Sequence, residues 1–183
     1  ILYSYQIGGN RNKMTIIQFT EKYNNELKNY FEKVFKENGR EFAPHDKDSD
    51  ILNITDNYML NGNFWCLIDS RNNICGTIAL RKLKDCYEIR RFFVLRKYQG
   101  YGYGSNLLNI AINYAIDSRF LLIKAATLNN CYISQHLFNK IGFTRTERYN
   151  NSSADIFFQF ELTRENIYNY HLNYLKHKFE SSL

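Results

Sequence analysis

The chain is 183 residues long, 44% hydrophobic and rich in Tyr and Phe, with a net charge of +6. That length fits one domain with a proper core, and the apolar fraction excludes a disordered chain. No stretch approaches the roughly eighteen apolar residues of a membrane span. Residues 1–13 lack the charged start and long apolar core of a signal peptide, so no membrane partner is expected. Lys and Arg are dispersed rather than gathered into a tract, which argues against nucleic acid as a partner. The four cysteines form no C-x-x-C pair, and the four histidines show no ligand spacing with them. Buried free thiols in a reducing cytoplasm are therefore expected, and no metal.

In chain order, 1–13 is read as an N-terminal extension, either native or an upstream mis-start before Met14. Met14 to Phe19 reads as a strand, and Thr20 as the cap of a helix with Tyr23, Leu27, Tyr30, Phe31 and Phe35 on one face. Asn38-Gly39 ends that helix. Arg40 to Asp50 reads as a polar loop holding the only proline, Pro44. A second helix is expected over Asp50 to Leu60, then three strands over Phe64–Asp69, Ile74–Leu83 and Tyr87–Val94. A helix follows to Asp117, with Leu107, Leu108, Ala111, Ile112 and Ala115 at helical spacing. Phe120 to Ala126 is short and almost wholly apolar, as strands covered on both faces are. Cys131 to Asn139 reads as a helix stopped at Gly142. Thr144–Arg148 and Ile156–Leu162 read as paired strands. Arg164 to Phe179 reads as a last helix with Tyr168, Leu172, Leu175 and Phe179 on one face, and it packs on its own domain or meets a partner chain.

The stretch that organises the rest is Gln99-Gly100-Tyr101-Gly102-Tyr103-Gly104-Ser105, where a strand turns into a helix. Such a turn offers unpaired backbone N–H groups and the positive end of the helix dipole, and glycine lets a ligand come close. The pattern suits a phosphate or pyrophosphate. A P-loop is excluded, because Gly104 is followed by Ser105 and Asn106 rather than Lys and Ser or Thr. The dinucleotide fingerprint is excluded too, because it needs glycine at 105 or 107, where Ser105 and Leu107 stand.

What remains, Gln99-x-x-Gly102-x-Gly104, resembles the Q/R-x-x-G-x-G/A acyl-CoA loop of the GNAT family of N-acetyltransferases. Glu88 to Val94 resembles the family's central strand. Asn129-Asn130 through Leu137-Phe138-Asn139-Lys140-Ile141-Gly142-Phe143 resembles its later helix. Asn63-Phe64-Trp65 and Cys75 to Leu80 resemble earlier strands, so the likeness runs from about Met14 to Leu162. It implies the α/β (α+β) class: a central mixed, mostly antiparallel sheet flanked by helices. On that division 14–162 is the acetyltransferase domain and 163–183 an extra C-terminal helix.

The resemblance also implies acetyl-CoA as co-substrate and an amine acceptor. Its pyrophosphate would rest on the amides of Gln99, Gly100, Tyr101, Gly102, Tyr103, Gly104 and Ser105. The backbone N–H groups of Phe92, Phe93 and Val94 would hold the acetyl carbonyl, a device worth roughly 3 kcal/mol per donor elsewhere. Asn130, or Cys131 beside it, stands at the family's pantetheine-binding asparagine. Glu88 is the candidate base, set against a purely structural strand glutamate. Phe138, counted among the cofactor-binding residues, occupies the position where the family often carries a tyrosine that acts as an acid, and it has no proton to give. The thiolate then leaves unaided, or Tyr132 protonates it, unless Tyr132 is only a packing aromatic. The expected function is acetylation of a small-molecule or amino-acid amine in the cytoplasm. The rivals are a protein lysine or N-terminal acetyltransferase and a non-catalytic acyl-CoA-binding module, with a homodimer left open.

Overall fold

The computed structural model describes residues 5–7 and 14–180. The rest of the expected N-terminal extension, and residues 181–183, lie outside the described residues. The chain divides into two compact units, Ile1–Lys82 with Arg90–Ala111, and Leu83–Ile89 with Ile112–Leu183.

The first unit is built on strands β1 (Tyr5–Ile7), β2 (Met14–Gln18), β3 (Asn63–Ile68), β4 (Ile74–Lys82) and the later part of β5 (Tyr87–Val94), in that order. Neighbours from β1 to β4 run antiparallel, with Ile16 opposite Leu67 and Trp65 opposite Ile78. β1 is thus a strand inside the segment read as an extension. Every residue of β3 is buried, which explains its unbroken apolar run. The connection from β3 to β4 is tightened by Asp69, whose Oδ1 accepts from the backbone N–H groups of Arg71 and Asn73, both at 2.9 Å.

Helix α1 (Asn24–Glu37) buries Leu27, Tyr30, Phe31, Val34 and Phe35, the spacing of one helical face. Thr20 makes no capping hydrogen bond; a 3₁₀ turn over Glu21–Tyr23 leads into the helix instead. At the other end Asn38 Nδ2 donates to the Val34 carbonyl at 2.6 Å, and Gly39 takes φ 69°, the left-handed conformation that glycine reaches without strain. The core here is aromatic. Phe93 meets the edges of Phe31 and Phe35 with ring centroids 6.4 and 5.3 Å apart.

The helix expected over Asp50 to Leu60 is not one helix. It is a 3₁₀ turn at Ser49–Leu52 and a single π turn at Thr55–Met59. Asn53 interrupts it: its Oδ1 takes the Asp56 N–H at 3.1 Å, while Asp50 is drawn inward by charged partners described below. Side chains that bond their own backbone compete with regular helix in this way.

The second unit begins with the first residues of β5 and holds the later part of α2 (Tyr103–Asp117), β6 (Leu122–Thr127), α3 (Tyr132–Ile141), β7 (Thr144–Thr146), β8 (Ile156–Glu161) and α4 (Arg164–Glu180). Its strand order is β5-β6-β8-β7. β5 and β6 are parallel, with Glu88 opposite Lys124, and β6–β8 and β7–β8 are antiparallel. Strands mixed but mostly antiparallel, with helices about them, give the expected α+β class. Gly142 ends α3 at φ 109°, its N–H donating to Asn139, while Phe143 N–H reaches the Phe138 carbonyl at 3.0 Å. In α4 the periodicity points to the wrong face. Among its described side chains Tyr168, Leu172 and Leu175 are exposed and Tyr170 is buried, while the side chain of Phe179 lies outside the described residues. No helix among the described residues is long and apolar enough to cross a membrane.

Candidate active site

The glycine turn lies in the first unit, and its conformation follows from its sequence. Gly100 and Gly102 adopt φ 82° and 78°, values that other residues reach only with strain. A side chain placed at either would meet nothing within 4 Å, so both face open space. The Gly102 carbonyl accepts the Asn106 N–H at 3.1 Å, which makes Gly102 the residue at which α2 starts. The N–H groups of Tyr103, Gly104 and Ser105 therefore precede the first intrahelical partner and point out of the helix end. A short 3₁₀ turn, Arg96–Tyr98, carries the chain from β5 into this loop. Arg96 binds it to the end of α1: its backbone N–H donates to Glu37 Oε2 at 2.8 Å and its guanidinium to the Glu37 carbonyl at 2.9 Å. Gln99 turns back, its Nε2 donating to the Val94 carbonyl at 2.8 Å.

The strand before the loop is irregular. Arg91, in mid-strand, has φ 50°, an outlier that a side chain other than Gly, Asn or Asp adopts only when its surroundings impose it. The imposition is visible. Arg91 is 7% exposed and its guanidinium is ringed by acceptors. Nη1 meets Asp48 Oδ1 at 2.7 Å, Nε donates to Asp50 Oδ2 at 2.9 Å, and Nη2 bonds Asp50 Oδ1. Asp48 is also bound by Arg40 at 2.5 Å and by the Ala43 N–H at 3.0 Å, and Asp50 by the Tyr58 hydroxyl. The Arg40–Asp50 loop, which reads in the sequence as a polar loop, is thus tied through two buried carboxylates to the irregular residue of β5. Its Asp48 and Asp50 do not form an open acidic lining for an amine.

Burial alone would raise both carboxyls. For Asp48 the Ala43 N–H and the Arg40 and Arg91 guanidiniums outweigh it, and for Asp50 the Arg91 guanidinium does so with help from Tyr58. Both sit below the ordinary value of 3.8. A carboxyl with a depressed folded-state pKa adds stability above the unfolded value, and that stability is lost as pH falls through the folded one. The melting temperature is expected to drop steeply once pH falls below about 3.8. The slope of that acid limb should be shallower in Asp50→Asn; an unchanged limb would remove Asp50 from it.

The second unit holds the other candidates. Glu88 is 3% exposed, and its Oε1 accepts from Asn150 Nδ2 at 2.6 Å. Asn150 is itself set by the turn after β7, its Oδ1 taking the Ser152 N–H at 3.1 Å. No signal in the sequence singles out this partner, since Asn150 lies between the two strands expected at Thr144–Arg148 and Ile156–Leu162. Asn130 is exposed just before α3, next to Cys131, whose Sγ lies 3.7 Å from Asn130 Oδ1. Tyr132 opens α3 and is 74% exposed. Phe138 is 2% exposed and packs its ring against Phe143 and Phe158, at 5.2 and 5.4 Å. Among the described residues no group of three or more His, Cys, Asp or Glu could hold a metal ion.

Comparison with known proteins shows the family and the fold. A family model described as "Acetyltransferase (GNAT) family" matches residues 21–143, more than half of the chain. No curated protein matches. Among solved structures, a GNAT-family acetyltransferase from Staphylococcus aureus is 24% identical with a TM-score of 0.75, the match covering 82% of this chain and 99% of that one. An acetyltransferase from Streptococcus agalactiae is 22% identical with a TM-score of 0.73, over 81% and 98% of the two chains. A PaiA N-acetyltransferase from Thermoplasma acidophilum, solved in complex with coenzyme A, is 16% identical with a TM-score of 0.64, over 81% and 98%. The matched model spans α1, the irregular strand and the glycine turn through to Phe143, and this chain belongs to the GNAT acetyltransferase family, a family of acyltransferases.

Proposed function

We propose that this protein transfers the acetyl group of acetyl-CoA to a primary amine of a small molecule or amino acid. The observation that carries the reading is the turn at Gly100–Gly102. It is open in front, strained for any other residue, and set at the N-terminus of a fifteen-residue helix. Backbone donors in that position suit a pyrophosphate, and the helix dipole favours its charge. In this reading the amides from Gln99 to Ser105 take the pyrophosphate, and Asn130 bonds the pantetheine arm. Phe138, on the buried face of α3, keeps that helix seated against Phe143 and Phe158 and supplies no proton.

Acetyl-CoA supplies an acyl group activated as a thioester. The amine must first lose a proton, and its ordinary pKa is about 10. Glu88 takes that proton directly or through a water molecule, with Asn150 fixing the carboxylate. The new bond forms between the amine nitrogen and the acetyl carbon as the C–S bond breaks. Of the Phe92, Phe93 and Val94 N–H groups assigned to the carbonyl oxygen, those of Phe92 and Val94, two residues apart in the strand, share one side and hold it while negative charge develops. The sulfur leaves with the bonding pair, and Tyr132 is the protein group assigned to protonate it; the second amine proton, shed by the adduct nitrogen, restores the Tyr132 hydroxyl through solvent. Tyr132→Phe is then expected to lower turnover severalfold with acetyl-CoA affinity retained. Unchanged turnover would mean that the thiolate leaves without a protein acid.

The test of the reading is thiol release from acetyl-CoA across a panel of small amines, amino acids and lysine peptides. Release that depends on a small amine supports it. Release only with peptides would move the acceptor to protein, and binding without release to any amine would make the chain an acyl-CoA-binding module.

A further inference from the structure

Peptide groups are planar and trans, so fixing the carbonyl of one residue fixes the N–H of the next in the opposite direction. At the end of β5 two carbonyls are fixed by buried side-chain hydroxyls. Thr77 Oγ1 donates to the Arg91 carbonyl at 2.7 Å, and Tyr30 Oη donates to the Phe93 carbonyl at 2.9 Å. The N–H groups sharing those planes are those of Phe92 and Val94. Along an extended strand, planes two residues apart face the same way, so both hydroxyls act from one side and both N–H groups are aimed to the other.

The two hydroxyls come from different elements, α1 and β4, and meet at a strand end that ordinary ladder pairing does not keep regular. Thr77 is fully buried and Tyr30 is 3% exposed. Phenylalanine would fill the same space at position 30, beside Phe31, Phe35 and Phe93, without a polar group to bury. Burial holds the Tyr30 phenol well above its ordinary pKa, against a smaller opposing pull from Thr77. It therefore remains an O–H donor throughout the useful pH range.

We infer that Tyr30 and Thr77 are positioning residues for acetyl transfer: their hydroxyls orient the peptide planes whose N–H groups hold the acetyl carbonyl. Neither touches substrate, and the inference rests on the transferase reading above. Because the donors are misaimed rather than deleted, the effect is smaller than the 10²–10³-fold loss typical of removing one.

The experiment compares wild type, Tyr30→Phe, Thr77→Val, Thr77→Ser and the double variant Tyr30→Phe/Thr77→Val, all well below the lowest melting temperature. Tyr30→Phe and Thr77→Val should each lower kcat about tenfold with KM for acetyl-CoA within about twofold. Thr77→Ser, which keeps the hydroxyl, should restore most of the rate. The double variant should lose less than the product of the single losses, since both act on one set of donors. Wild-type kcat with only a lower melting temperature would make the hydroxyls structural and overturn the inference. So would a rise in KM at unchanged kcat, which would place the disturbance in the coenzyme loop. Wild-type protein that turns over no amine would instead bring down the transferase reading, and this inference with it.

Discussion

Gly102→Asp is expected to abolish acetyl-CoA binding. At a hundredfold excess over Kd, one bound ligand stabilises the folded state by about 2.7 kcal/mol, roughly 5–10 °C of melting temperature for a chain of this size. Wild type should show that rise. A side chain at Gly102 has room, since nothing lies within 4 Å, so a clash is not the cause of the loss. Two other effects are. The backbone sits at φ 78°, and the new carboxylate stands where the phosphates would go. Gly102→Asn separates them, because it is tolerated comparably at positive φ and carries no charge. It should keep part of the thermal shift while Asp keeps none. A full shift in the Asp variant would mean that the loop does not hold the pyrophosphate.

Glu88→Gln is expected to lower turnover by about 10²–10⁴ if Glu88 is the base. The amide keeps the side chain's shape and its contact with Asn150, so acetyl-CoA affinity should change little. The loss should shrink at high pH, where the amine is already neutral. A structural Glu88 predicts something else: a lower melting temperature and near-normal turnover in the molecules that stay folded. Rate against pH for both proteins, read beside their melting curves, decides between the two. A wild-type profile without an acidic-limb inflection, matched by the variant, removes Glu88 from the reaction.

Much of this molecule can be read locally. The strand Tyr87–Val94, the helix after the glycine turn and the stop at Gly142 all follow from short-range rules: an apolar run, helical spacing and a left-handed glycine. The site's scaffolding was harder to see because its partners are far apart in sequence. Arg91 meets Asp48 and Asp50 across more than forty residues, and nothing in an acidic loop distinguishes a buried carboxylate from a solvated one. Tyr30 looked like one more apolar position on α1, since helical spacing registers its ring and not its hydroxyl. Phe138 fell where the family pattern places a tyrosine, but its own neighbours are Phe143 and Phe158 in an aromatic core. In α4 spacing alone favoured Tyr168, Leu172, Leu175 and Phe179. The burial of Tyr170 instead depends on tertiary contacts that a periodic pattern does not encode.

The most direct measurement is the mass of the acceptor after incubation with acetyl-CoA and the enzyme. An amine that stimulates thiol release should gain one acetyl group per thiol freed, with the new amide at its primary nitrogen. Thiol released while the amine's mass stays unchanged would mean hydrolysis in place of transfer, and would contradict the account.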